Sequence, residues 1–190
     1  MRELIVTENI TLDGVIDAAE GWFAPGGDED NDQSDVLDAL REQREAADAL
    51  LLGRVTFEQM RGYWPLQTDD TTGIADYLDN VTKYVFSATL KEPNWAHTTI
   101  LQGSVVEEVQ ALKSSPGRDI VTTGSMTLTS DLIAAGLVDE YRLFVYPVVI
   151  GRGHRLFTDA TDVPRLHLEE ARPFRSGIVL LRYRSTSPNE

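Results

Sequence analysis

Residues 3–12 alternate apolar and polar positions, with Leu4, Val6 and Ile10 set against Thr7, Glu8 and Asn9 and a break near Glu8. A period of two predicts a first strand. Ala49-Leu50-Leu51-Leu52 is a continuous apolar run, too short for a core helix and suited to a buried strand. It stops at Gly53. Beyond it, Val55, Phe57, Met60 and Arg61 fall at spacings that share helix faces, so strand, tight turn and helix start follow one another. That helix ends near Gly62 and is closed by Trp64-Pro65. Upstream, Ser34 or Asp35 caps a predicted helix running to about Asp48, with Val36, Leu37, Leu40, Arg44 and Ala47 near one face. The stretch before it, residues 18–33, reads as a long loop carrying Trp22, Phe23 and the acidic run Asp28-Glu29-Asp30.

Downstream, the pattern predicts a short helix over 74–80 and strands over 83–86 and 98–101. A helix follows, carried by Val105, Val106, Val109 and Leu112 and ended by Pro116-Gly117. A strand over 119–123 runs into Gly124-Ser125, and a helix from Met126 or Thr127 reaches Ala135, with Gly136 as its cap. Then the character changes. Residues 140–150 form a β-branched and aromatic stretch in which Pro147 marks an edge or a bend. A turn at Gly151-Arg152-Gly153 and strands over 165–171 and 177–184 complete the chain. Strands first alternate with helices and then follow one another. The expectation is an α/β fold with a mixed, mainly parallel sheet flanked by helices, and antiparallel strands added at the C-terminal end. No repeat or linker interrupts residues 1–190, so a single domain is expected.

Composition narrows the chemistry. The formal net charge of −14 repels a nucleic acid from most of the surface, although a small phosphorylated cofactor suits a local basic pocket. There are no cysteines, which removes disulfides, thiolate metal sites and cysteine nucleophiles. No signal-peptide pattern opens the chain and no apolar run is long enough to span a bilayer, so a cytoplasmic protein without a membrane partner is expected. His97, His154 and His167 are far apart and lack metal-ligand spacing.

Two strand-to-helix turns carry glycine: Leu52-Gly53-Arg54 and Thr123-Gly124-Ser125. In a parallel sheet such turns share the carboxyl edge, where ligands bind. Two helix N-termini there offer unpaired N–H groups and positive dipole ends to a pyrophosphate. Arg54 adds a planar cation, Thr56 a hydroxyl, and Phe86-Ser87-Ala88-Thr89 further hydroxyls at the same edge. Three ordinary turns explain the same residues equally well. Trp22 and Phe23 read either as an anchor for their loop or as one wall of a pocket. Asp13, Asp17, Asp35 and Asp38 are candidate acids, although most such residues are simply solvated. The cluster Gly151-Arg152-Gly153-His154-Arg155 reads as an anion site or as a hairpin with exposed arginines.

Several segments together resemble the dihydrofolate reductase-like superfamily, and more closely the C-terminal reductase domain of the riboflavin-biosynthesis deaminase-reductase and its stand-alone relatives. They are Thr11-Leu12-Asp13-Gly14-Val15-Ile16, the run from Ala47 to Glu58, Lys83 to Leu90, Gly124-Ser125, and Gly136-Leu137-Val138-Asp139-Glu140 leading to Pro147 through Gly153. The resemblance implies NADPH across the carboxyl edge. Gly53, Arg54 and Thr56 would hold the pyrophosphate and adenosine-side phosphates, with Ser87 and Thr89 near the 2′-phosphate. Gly124, Ser125, Met126 and Leu128 would line the far side of the pyrophosphate, and Gly14, Val15 and Ile16 would approach the nicotinamide. Trp22 would belong to a lid, Asp35 or Asp38 would stand where classical dihydrofolate reductases carry an acid on the first long helix, and two copies would pair through the C-terminal strands. Ser125 departs from the family's repeated glycine. The implied activity is NADPH-dependent hydride transfer to a small pterin- or pyrimidine-like heterocycle or a carbonyl-like compound. A nucleotide-binding module that acts as a sensor or scaffold without catalysis is the alternative.

Overall fold

A computed structural model describes residues 1–17, 21–23, 32–157 and 165–186. Most of the 18–33 loop and its acidic run therefore lies outside the described residues.

The elements run β1 (Leu4–Thr11), α1 (Ser34–Ala46), β2 (Ala47–Gly53), α2 (Arg54–Tyr63), a 3-10 turn (Trp64–Leu66), α3 (Ile74–Asn80), β3 (Thr82–Phe86), β4 (Thr98–Leu101), α4 (Val105–Ser114), β5 (Asp119–Thr122), α5 (Met126–Ala134), β6 (Glu140–Tyr146), β7 (Leu166–Pro173) and β8 (Val179–Ser185). The strands form one eight-stranded sheet in the order β4-β3-β2-β5-β1-β6-β8-β7. β1 through β6 pair in parallel, and β8 and β7 join antiparallel. This is the expected mixed sheet.

Both faces of its centre are covered, which explains the continuous apolar run in β2. Ala49 and Leu51 pack with Val109, Leu128 and Leu132 of α4 and α5. Leu50 and Leu52 pack with Phe57, Trp64 and Leu78 on the opposite side. Toward β6 and β8 that opposite side is closed by α1, whose Val36 and Ala39 meet Phe144, Phe174 and Leu180.

Three expectations are corrected. α1 ends at Ala46 rather than near Asp48, so Ala47 opens β2 and is buried in the core instead of on a helix face. Gln33, not Ser34 or Asp35, occupies the position before the helix. β6 stops at Tyr146, and it is an interior strand between β1 and β8. Pro147 thus marks no edge; the chain bends there, as the other reading expected, and the pairing of β6 ends before it because proline has no N–H to donate.

Candidate active site

The carboxyl ends of β1, β2, β3, β5 and β6 share one edge, and two turns there are locked to each other. Gly53 N–H donates to Ser125 Oγ at 2.8 Å, and Ser125 N–H donates to Thr56 Oγ1 at 2.8 Å. Gly124 and Ser125 both adopt the left-handed region, with φ of 59° and 55°. For serine that backbone costs about 1–2 kcal/mol, which the two reciprocal bonds offset. A Cβ on Gly124 would meet Thr56 Cγ2 at 3.2 Å, so only glycine lets the turns close this tightly.

This clasp changes the expected use of the turns. The amide hydrogens of Gly53 and Ser125 are taken by protein partners. The donors left for an anion are the first-turn amides of α2 and α5, which no helix bond uses, together with the hydroxyl hydrogens of Thr56 and Ser125. Arg54 stands beside them, exposed and paired with Glu58 at 2.7 Å. These groups border a cleft of about 430 Å³ lined by Gly53, Arg54, Thr56, Ser125, Met126 and Leu128, with Gln59, Phe86 and Asp131 among its other walls. The structure thus brings together six of the residues implicated for the cofactor. Ser87 and Thr89 do not line this cleft. The Ser87 hydroxyl instead accepts N–H bonds from Thr89 and Leu90 at 3.2 and 2.8 Å.

A second cleft of about 480 Å³ opens on the α1–α2 side of the sheet. Its walls are apolar and aromatic, including Phe23, Val36, Leu40, Met60, Trp64 and Tyr146, and its polar lining comprises Asn9, Gln33, Thr56, Gln59 and Thr123. Thr56 and Gln59 line both clefts, so the two adjoin across α2. Behind it lies a recess of about 160 Å³ reached past Asn9, Met60 and Thr123, with Arg44 on its wall. The Arg44 guanidinium donates to Thr72 O at 3.1 Å and lies over the Tyr77 ring at 5.9 Å. Burial lowers its pKa.

Gly14, Val15 and Ile16 leave β1 through a fixed turn. Gly14 N–H bonds Thr11 O at 2.9 Å, Ile16 N–H bonds His154 O at 2.8 Å, and Val15 bridges Arg155. The Gly151–Arg155 cluster is therefore a brace for this turn, with Arg155 Nε donating to Asp13 O at 3.0 Å.

The candidate acids are placed differently from one another. Asp13 accepts from Thr11 Oγ1 at 2.6 Å and from Gly151 N–H at 2.7 Å, and these bonds hold its carboxyl down at about 2. It is ionised at neutral pH and organises the turn. Asp35 accepts from the backbone N–H and Nε of Arg175 at 3.0 and 3.3 Å, and the Arg175 backbone bond leads in lowering its pKa. Neither carboxylate lines the aromatic cleft. Trp22 donates its indole N–H to Asp17 O at 2.7 Å and sets its ring edge-on to Tyr146 at 5.2 Å, while Phe23 joins the cleft wall.

Sequence reading missed Asn9, Gln59, Met60, Trp64 and Tyr146 as cleft residues, and Glu8 as a buried group on the recess wall. Glu8 is 4% exposed with Oε1 unpartnered, and burial raises its pKa well above the carboxylate range. A carboxylate in the middle of a strand between Val6 and Ile10 was the available signal. Among the described residues, no group of three or more His, Asp or Glu is placed to hold a metal, and no helix is long and apolar enough to cross a membrane.

The profile of the RibD C-terminal domain family matches residues 2–180. The uncharacterized protein YyaP of Bacillus subtilis (strain 168) is 34% identical over 187 residues, covering 96% of this chain and 94% of that protein. Among solved structures, a pyrimidine reductase-like protein of Corynebacterium diphtheriae aligns with a TM-score of 0.65 at 16% identity, over 98% of this chain and 92% of that one. Dihydrofolate reductase of Enterococcus faecalis, solved with NADP(H), aligns with a TM-score of 0.64 at 19% identity, over 97% of each chain. The fold is dihydrofolate reductase-like.

Proposed function

The chain belongs to the RibD C-terminal domain family, and on that premise we propose that it is an NADPH-dependent reductase of a small heterocyclic or carbonyl-like compound. The observation that carries this reading is the pair of adjoining clefts at the carboxyl edge, joined through Thr56 and Gln59. One has the donors a pyrophosphate needs and the other has the apolar walls a ring needs. The first-turn amides of α2 and α5, Arg54 and the hydroxyls of Thr56 and Ser125 hold the cofactor's phosphates. Gly14, Val15 and Ile16, in the turn that follows β1, receive the nicotinamide. The cofactor supplies the hydride, and the protein supplies orientation and water exclusion. The NADP(H) bound to the Enterococcus enzyme supports this choice of cofactor.

Parallel titration with NADPH and NADH, followed by tryptophan quenching, tests the proposal. Saturable binding that prefers NADPH is expected. No binding of either cofactor overturns it.

A further inference from the structure

We infer that the aromatic cleft takes a flat, uncharged, conjugated carbonyl compound, an enone or quinone, and that the Tyr146 hydroxyl meets its carbonyl oxygen. This rests on the reductase reading and names its substrate class and the hydrogen-bond donor that meets the developing charge. The cleft walls formed by Val36, Leu40, Met60 and Trp64 suit a ring. Its polar lining consists of amides and hydroxyls, all of which can donate, and among the described residues no carboxylate faces it. A conjugated carbonyl gains negative charge on oxygen when hydride arrives, and donors aimed at that oxygen stabilise the change. An amino-heterocycle that is protonated on reduction gains positive charge instead. Arg44, the cation on the recess wall, favours the first and opposes the second, and Glu8, the carboxyl on the same wall, is pushed by burial toward its neutral form.

Tyr146 is placed for this task. It ends β6 in register with Thr11, the residue from which the Gly14–Ile16 turn departs. Its ring is held by Trp22 at 5.2 Å and Phe23 at 5.9 Å, and Trp22 is itself fixed by Asp17. No described residue hydrogen-bonds its hydroxyl. Burial pushes the phenol up to about 12, which keeps the proton on it at neutral pH. In the step, the acceptor's conjugated carbon gains a hydride from the reduced nicotinamide, forming a C–H bond. The C=C π pair moves toward the carbonyl oxygen, giving an enolate. Tyr146 donates a hydrogen bond to that oxygen as the charge forms, and water supplies the proton that completes the product.

The test uses the whole protein with NADPH, and menadione, cyclohexenone and dihydrofolate as acceptors, following loss of reduced-nicotinamide absorbance. Menadione and cyclohexenone are expected to turn over and dihydrofolate is not. Tyr146→Phe is expected to lower kcat with menadione about tenfold or more, with NADPH affinity unchanged. Without cofactor, naphtholate, an enolate mimic, is expected to bind the Phe variant more weakly, read by tryptophan quenching. Tyr146→Gln restores a donor and is expected to recover part of both losses, which separates the role of the hydroxyl from any effect on folding. Dihydrofolate reduced in place of the carbonyl compounds overturns the inference, as does a Phe variant with wild-type rate and naphtholate affinity, or a Gln variant no better than Phe. Cofactor binding without carbonyl turnover overturns this inference alone, whereas failure to bind either nicotinamide cofactor removes the reductase reading beneath it.

Discussion

The two clefts are built by opposite means. The edge cleft owes its shape to backbone: two turns exchange hydrogen bonds through Ser125 and Thr56, and two successive residues sit at positive φ. The aromatic cleft owes its shape to side chains from β1, α1, α2, the 3-10 turn, β6 and Thr123 just after β5, brought together by packing. A backbone-built site tolerates little change, because each donor has one partner and each Cβ one available space. A site built by side chains can change its ligand by substitution while the scaffold stays. On the proposed function, cofactor binding is thereby fixed in the turns, and substrate choice is left to the walls.

Substitutions at the clasp sharpen that contrast. Gly124→Val combines a positive φ with a Cβ pressed against Thr56, and should cost about 2 kcal/mol or more in urea unfolding and abolish NADPH binding. Preserved stability would show that the turn relaxes freely. Thr56→Val keeps the shape but leaves Ser125 N–H without its acceptor. A loss of about 1–2 kcal/mol is expected, with weaker NADPH binding by titration calorimetry.

Glu8 gives the fold a pH dependence. Its folded-state pKa lies above its unfolded value, so between the two the native state holds a proton that the unfolded chain has released. Stability is therefore greatest below the unfolded pKa and falls as pH rises toward the folded pKa. Glu8→Gln removes that slope, and its melting temperature should exceed the wild-type value by more in alkaline than in acidic buffer. Parallel melting curves at all pH values would show that Glu8 is ionised in the native state. The smallest effect is expected at Asp35. It is held by Arg175 and does not line the aromatic cleft, so Asp35→Asn should leave turnover of the accepted substrate within about twofold. A collapse in kcat would place this carboxylate in the chemistry after all.

The same contrast explains what could be read from the sequence. The strand–turn–helix at Gly53 and the turn at Gly124 are local patterns, legible because a change of hydrophobic period and a glycine coincide. The alternation of strands and helices gave the sheet, and only element ends were misplaced, as at Ala47 and Pro147. The clasp itself was hidden, since Ser125 and Thr56 are 69 residues apart, and a polar residue after glycine signals only a turn. In the sequence Met60 is one position of a helix face, Trp64 closes that helix, and Tyr146 belongs to a β-branched and aromatic stretch. That they border a cleft is set by the distance between α1 and α2, a tertiary property with no local pattern. Asp35 illustrates the converse: its position on the first helix suggested an acid, but Arg175, 140 residues later, supplies its partner.

On the proposed function the cofactor's phosphates rest on the first turns of α2 and α5, with the amides of Gly53 and Ser125 already engaged. Backbone amide resonances recorded during an NADPH titration test it most directly. The account predicts the largest shifts at Val55, Thr56, Met126 and Thr127, and their loss or reduction in Arg54→Ala. Shifts confined to other edges of the sheet, or none at saturating NADPH, would contradict it.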